Sequence, residues 1–375
     1  MSDTSIRVRA DHIGSLLRPA EVAAARTEVL GPGELTAPAL AEVEDRAIAD
    51  AVALQESVGL PLVTDGEFRR SFWHYDFMDG LNGVEVQYLP DRTGVQFSGP
   101  QLRPFFPIVT DRISFPDDHP MLDHFRYLAS ISRAVPKISI PGPSACHFRP
   151  AKADVHPAAY DDDALMLDDI AQAYAGAVQA FYDLGCRFLQ LDDIFFAYLC
   201  DEQQREAKRA QGYDPDQLIV DYADMLERAI AGRPKDMTIG MHMCRGNFRS
   251  TWVAQGGYDP AVDAIFNRTS VDVYFMEYDT ERAGGLEPLR LLPAGDKRVM
   301  PGFVTTKTGE METVDDLRRR FDEASRYVDL DQLGIAPQCG FASTEEGNDI
   351  TPDGQRAKLA LVVQTAEAIW GSVDG

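Results

Sequence analysis

The chain has 375 residues, is 45% hydrophobic and 26% charged, and carries a formal net charge of −24. An acidic excess spread along the chain excludes the basic face that a nucleic-acid partner needs. No run approaches the ~18 apolar residues of a membrane span, the N-terminal MSDTSIRVRADH has no apolar leader core, and the sparse cysteines (Cys146, Cys186, Cys200, Cys244, Cys339) suit a reducing, cytoplasmic compartment.

Short apolar β-type runs alternate with longer helical ones, the pattern of a parallel sheet. The first strand is expected at Ile6–Ile13, followed by GSLLRP. Pro38–Val58 has helical periodicity and an Ala/Glu-rich composition. LPLVTDGEF (60–68) reads as strand two. Residues 69–118 break the rhythm with an aromatic-rich excursion, expected as a hairpin of VEVQYL and GVQFSG around PDRT. It would cover a pocket or serve as a contact arm between copies, so a homo-oligomer stays open.

The rhythm then returns. Strands three to eight are expected at 136–143, 186–193, 237–244, 270–279, 297–306 and 333–341. Helices are expected at 161–184, 202–231, 314–328 and 352–370. Eight strands alternating with helices predict a single (β/α)₈ TIM barrel over 1–375, with 69–118 as an inserted arm.

The reactive-looking side chains fall at the C-terminal ends of these strands, the catalytic face of such barrels. His242 and Cys244 lie two apart at the end of strand five, and a strand points i and i+2 to one face. Glu277 and Cys339 end strands six and eight. One imidazole, two thiolates and a carboxylate make a plausible Zn²⁺ shell, and zinc activates a thiol at neutral pH. The plain alternative is that His242 and Cys244 are core residues. Cys146-His147 is a second, weaker pair without a third ligand.

Glu67 after TDG and Asp192 after LQL are carboxylates suited to a substrate ammonium or a proton shuttle. Helix capping or pairing with arginine is the bland alternative. DHIGSLLRP presents His12, Gly14, Ser15 and Arg18 after strand one, where backbone N–H groups suit a carboxylate. Arg69 and Arg70 offer cations for an anionic tail, or form a solvated basic pair.

HIGS, DGE, LQLDD, HMC with a later Glu, and CG occur in that order. Together they resemble the cobalamin-independent methionine synthase family in its catalytic C-terminal barrel, from about residue 8 to 370. The length is similar to short single-barrel members, including the epoxyalkane:coenzyme M transferases. The resemblance implies that His242, Cys244, Glu277 and Cys339 bind zinc, and that Ile13-Gly14-Ser15 takes the homocysteine carboxylate. It implies that Glu67 and Asp192 hold the homocysteine ammonium. The implied reaction is methyl transfer, from 5-methyltetrahydrofolate or another donor, to the zinc-bound thiolate of homocysteine, forming methionine.

Two positions depart from the family pattern. Lys307 in PGFVTTKT stands where a proton-donating His is expected, and PGPSACHFRP lacks the Trp of the folate site. A corrinoid-protein donor or an epoxide is therefore an alternative electrophile, the latter with a coenzyme M-type thiol. A zinc-free lyase resembling uroporphyrinogen decarboxylase is the second alternative, and it would need a basic pocket for several carboxylates.

Overall fold

The structure, a computed structural model, describes residues 6–30 and 35–375; residues 1–5 and 31–34 of the expected 1–375 unit lie outside the described residues. Seven parallel strands form a curled sheet. In order around it they are β1 (Leu62–Val63), β4 (Val135–Pro141), β5 (Phe188–Asp192), β6 (Thr238–Met243), β7 (Val273–Glu277), β8 (Arg298–Val304) and β9 (Ala336–Pro337). Two further strands, β2 (Asn82–Tyr88) and β3 (Phe105–Ser114), form a separate antiparallel pair.

The fold is the expected α/β barrel type, with a different seam. Ile6–Ile13 makes only isolated bridges: Val8 to Asp374, and Ala10 in parallel to Ile335. Its backbone groups find other partners. Arg9 N donates to Val373 O (2.7 Å), Asp11 N to Ile335 O (3.0 Å) and His12 N to the Asp11 carboxylate (2.7 Å). On the other flank, Thr64 Oγ1 donates to Gly14 O (2.7 Å) and Leu16 N to Gly66 O (3.0 Å). The segment thus stands as an eighth stave without a continuous ladder.

Alternation along the strands separates two cores. Leu189, Leu191, Ile239, Met241 and Met243 pack outward under the helices. Phe188, Phe275, Leu62, Ile13 and Met300 form a small interior cluster. Above it Lys137 Nζ pairs with the Asp11 carboxylate (2.8 Å) and reaches Gln190 Oε1 (3.1 Å), all fully buried. A polar pair and amide can occupy the barrel because each satisfies the others.

Local chemistry explains the helix ends. Thr36 caps Ala37–Ser57 and Asp162 caps Asp163–Asp183. The single helix expected over 202–231 is two, Glu202–Ala210 and Pro215–Ile230. The break falls where Gly212 adopts φ +91° and Asp214 caps a helix with Pro215 in its first turn. A helix at Ala20–Leu30 was not expected.

The hairpin also differs from expectation. VEVQYL lies within β2 and its neighbour Leu89, but its partner is β3, with Val84 facing Val109 and Tyr88 facing Phe105. GVQFSG makes only the isolated bridge Gln96–Gln101. Pro107 and the charges of TDR hide β3 from an alternation reading.

Candidate metal and substrate site

β5 and β6 run in register, so Asp192 lies directly opposite His242. Pro141 is level with both, and these strand ends form the floor of a pocket. On β6 the inward face carries Thr238, Gly240 and His242. Cys244 follows the strand end, and Cys339 lies two residues beyond β9.

The imidazole of His242 and the thiols of Cys244 and Cys339 place one ligand atom each within 4.8 Å of the others. The two sulfurs are 3.5 Å apart, and all three residues are buried. His242 Nδ1 is 3.4 Å from Asp192 Oδ1. Burial opposes a charged imidazole, but Asp192 and then Cys339 outweigh it, and the pKa of His242 rises to about 10. Burial likewise opposes a thiolate at Cys339, yet bonding from Cys244 and His242 holds its pKa well below that of a free thiol. Cys244 is pushed up, first by its bond to Cys339 and then by burial. One nitrogen and two sulfurs converging in a buried site suit Zn²⁺ in donor type and number.

Glu277 lies outside this trio of ligand atoms. Its Oε2 accepts from Arg245 N (2.8 Å), and Arg282 binds its Oε1, with Lys307 Nζ 3.8 Å from the same oxygen. Burial works against its charge, but Lys307, Arg282 and Arg245 prevail and lower its pKa to about 2. To reach a metal at the trio, this carboxylate must exchange a cationic partner.

Glu67 and Asp192 both line the pocket, and both are buried. The sequence Asp65-Gly66-Glu67 turns sharply, with Gly66 at φ +65° and Glu67 at φ +63°. A non-glycine residue in this region is strained, and such strain clusters at functional sites. The turn is locked by Thr64 Oγ1 and Asp65 Oδ1, which accept from Gly66 N (3.2 Å) and Glu67 N (2.9 Å). Glu67 Oε1 accepts from Ser139 Oγ (3.0 Å). Burial, opposed by Arg70 and reinforced by Asp192, raises its pKa to about 7. The neighbouring Asp193 turns away and binds Ser144.

Ile13 and Ser15 line the pocket, and Gly14 packs against Glu67, where an added Cβ would sit 3.3 Å from Oε1. His12 is buried and lies off the pocket lining. Arg69 is turned outward to Asp45 and Glu44, over the Tyr127 ring. Arg70 is fully buried beneath the site, giving Nη2 to Ser139 O (2.7 Å) and standing 3.6 Å from Glu67. Neither arginine faces the pocket as a free cation for an anionic tail. The double left-handed turn at 66–67 explains this, because it aims Glu67 inward and sends the following residues behind it. Lys307 lines an adjacent open cleft with Arg282 and Trp252. Cys146 and His147 are bound elsewhere, His147 to Tyr222 Oη at 2.9 Å.

The free cavity volume among these side chains is about 30 Å³. Its remaining walls were not singled out from sequence: Trp73, His74, Phe97, Arg149, Tyr198 and Asn247. The aromatic-rich 69–118 stretch signalled the first three as a group. Arg149 gave no pattern, because a lone arginine after a proline-rich turn resembles any surface arginine.

The sequence profile of the cobalamin-independent synthase catalytic domain matches residues 9–367. The uncharacterized protein YxjH of Bacillus subtilis is 46% identical over 363 residues, covering 96% of this chain and 94% of its own. A 5-methyltetrahydropteroyltriglutamate–homocysteine methyltransferase of Bifidobacterium animalis is 24% identical over 96% of this chain, which spans 42% of that longer protein. A Listeria monocytogenes structure, named as a candidate vitamin-B12 independent methionine synthase, superposes with TM-score 0.77 at 35% identity, covering 98% of this chain and 100% of that one.

Proposed function

The chain belongs to the cobalamin-independent methionine synthase catalytic-domain family, and from that premise we propose that it is a zinc-dependent thiol alkyltransferase that methylates homocysteine to methionine. The observation that carries the reading is the trio His242, Cys244 and Cys339, gathered within 4.8 Å at the floor of a pocket that Glu67, Asp192 and Ser15 also line. His242, Cys244 and Cys339 would hold the metal, with Glu277 as an exchangeable fourth ligand. Bound there, zinc supplies a positive charge that lowers the pKa of a substrate thiol from its free value of about 8.5.

The protein's own groups do the rest. Asp192, 3.4 Å from His242 Nδ1, would hold the ring so that Nε2, which now lies 3.4 Å from Gln338 O, would turn to the metal. Glu67 and Asp192 receive the substrate ammonium. The Ile13-Gly14-Ser15 backbone and the Ser15 hydroxyl receive its carboxylate. Lys307 lies 3.8 Å from Glu277 and has no hydrogen-bond partner among the described residues, which supports a role in which it would hold Glu277 until the metal takes it, or stabilise charge on the leaving group. Burial of the pocket strengthens each of these charge interactions.

A donor–acceptor screen tests the reading. Zinc-loaded protein is given homocysteine or coenzyme M against 5-methyltetrahydrofolate, methylcobalamin or epoxypropane, and the thioether is measured. Methionine is the expected product. Product with epoxypropane alone would assign the epoxide:thiol reaction instead. The lyase alternative is disfavoured by the pocket's single lining guanidinium, Arg149, where several substrate carboxylates need several cations.

A further inference from the structure

Arg149 lines the pocket, and no carboxylate among the described residues lies within salt-bridge distance of it. Its Nε is buried and, among the described residues, without a hydrogen-bond partner. The guanidinium is held by rings instead, 5.0 Å from the Phe195 centroid and 5.9 Å from that of Tyr198. Arg70 and Arg245, buried near the same site, and the half-buried Arg18 are tied to backbone carbonyls. Beside Arg149 stands His74, 1% exposed, whose two ring nitrogens also lack partners. Its ring is stacked between Trp73 (4.3 Å) and Tyr75 (3.8 Å). Burial, and then the charge of Arg149, keep it neutral. A neutral imidazole still carries one N–H donor.

The buried Nε of the half-buried Arg149 and the buried His74 ring come from different loops, line one cavity and are unpartnered among the described residues, so they suit an acceptor that neither loop supplies. We propose that Arg149 and His74 form an oxyanion subsite of this pocket, and that the alkyl donor carries the carboxylate, sulfonate or phosphate that fills it. The assignment to the donor rests on the function proposed above, in which Ser15, Glu67 and Asp192 are given to the thiol substrate. Arg149 takes its contacts from Phe195 and Tyr198, whereas Glu67 takes its contacts from Ser139 and Arg70. Aromatic packing pre-orients the guanidinium fork for a bidentate oxyanion.

The zinc-loaded full chain is titrated with acetate, methanesulfonate and inorganic phosphate against chloride at equal ionic strength, with Trp73 fluorescence as readout. Saturable binding of at least one oxyanion is expected, and the arms show which chemistry fits. Arg149→Gln should weaken it by about tenfold or more, the loss of one charge-assisted pair. Arg149→Lys should recover part of it. Arg209→Gln, on the exposed helix 202–210, should change nothing. Thermal melts confirm that each variant is folded. Equal binding by Arg149→Gln and the parent, or no oxyanion response beyond that of chloride, overturns the subsite. With the donor found by the screen, Arg149→Gln should raise KM for the donor and leave KM for the thiol unchanged; the reverse overturns the assignment to the donor. Methylation of homocysteine by methyl iodide, a neutral donor, is measured on the parent protein alone. Its failure would sink the thiol-alkylation reading and leave the oxyanion result standing.

Discussion

Asp192 and His242 face each other across neighbouring strands in exact register, and Asp192 Oδ1 stands 3.4 Å from His242 Nδ1. The carboxylate is fixed in turn by Gln190 Nε2, which donates to it at 2.7 Å. A metal-binding imidazole oriented through its other nitrogen loses affinity when that partner is neutralised, typically by 10–100-fold. Asp192→Asn should therefore weaken zinc binding by about that factor, measured by competition with a chromophoric chelator. Unchanged affinity would show that the register contact does not orient the ring.

Zinc removal gives a second outcome. Bonding from Cys244 and His242 lowers the pKa of Cys339, and Cys244 lies 3.5 Å from it, whereas burial pushes Cys146 and Cys186 up to about 12. In the chelated protein Cys339 should react first with iodoacetamide, and zinc should block that reaction. Peptide mass spectrometry reads the site. Cys339→Ser should remove both zinc retention and the rise in melting temperature on adding zinc. Equal labelling with and without zinc would argue against the trio as the metal site.

The turn before Glu67 is testable by stability. An alanine Cβ at Gly66 would lie 2.8 Å from Phe68 Cε1, in a backbone at φ +65°. Gly66→Ala should cost ~1–3 kcal/mol in urea denaturation. It should also raise KM for the thiol substrate, because it moves the residue before Glu67. A stability change without a KM change would mean that the turn does not position the carboxylate.

What could be read beforehand follows from how each feature is encoded. β5 and β6 announce themselves because FLQL and TIGM are fully buried, mostly apolar runs, and His242, Cys244 and Cys339 mark themselves by residue type and strand-end position. β3 hides because Pro107 and exposed charges interrupt its alternation. The break at Gln211–Asp214 is written in Gly212 and Asp214-Pro215, cap signals that helical periodicity across 202–231 overrides. The outward course of Arg69 and the pairing of Glu277 with Arg282 depend on backbone direction and on contacts near in sequence but specific in geometry. Arg149 becomes legible only when the fold shows that, among the described residues, no carboxylate pairs with it.

Glu67 gives a pH signature. Its folded pKa of about 7 lies above the ordinary glutamate value of 4.5, so the folded state binds the proton more tightly. A raised carboxyl contributes stability that is present below about 4.5 and is lost as pH rises toward about 7. The loss is on the order of 3 kcal/mol across that window. Glu67→Gln removes this dependence, so its stability relative to the parent should improve from pH 4.5 to 7 and then level off. Urea midpoints across the range check it. The same variant should bind the thiol substrate more weakly, since it lacks the charge that meets the ammonium. Parallel pH curves for the two proteins would place the titration elsewhere.

Lys307 separates support from chemistry. It stands 3.8 Å from Glu277 Oε1, and Arg282 and Arg245 hold that carboxylate independently. Lys307→Met should therefore leave the fold intact. It also removes a positive charge facing Glu277 beside the metal trio, so Zn²⁺ affinity should stay level or rise. If Lys307 acts on Glu277 exchange or on leaving-group charge, methionine formation should fall at least tenfold while zinc stays bound, a loss of about 1.4 kcal/mol or more in transition-state stabilisation. Chelator competition and thioether yield on the same preparation decide the matter. A joint fall in zinc affinity and rate would make Lys307 a support of the metal site, and an unchanged rate would remove it from the reaction.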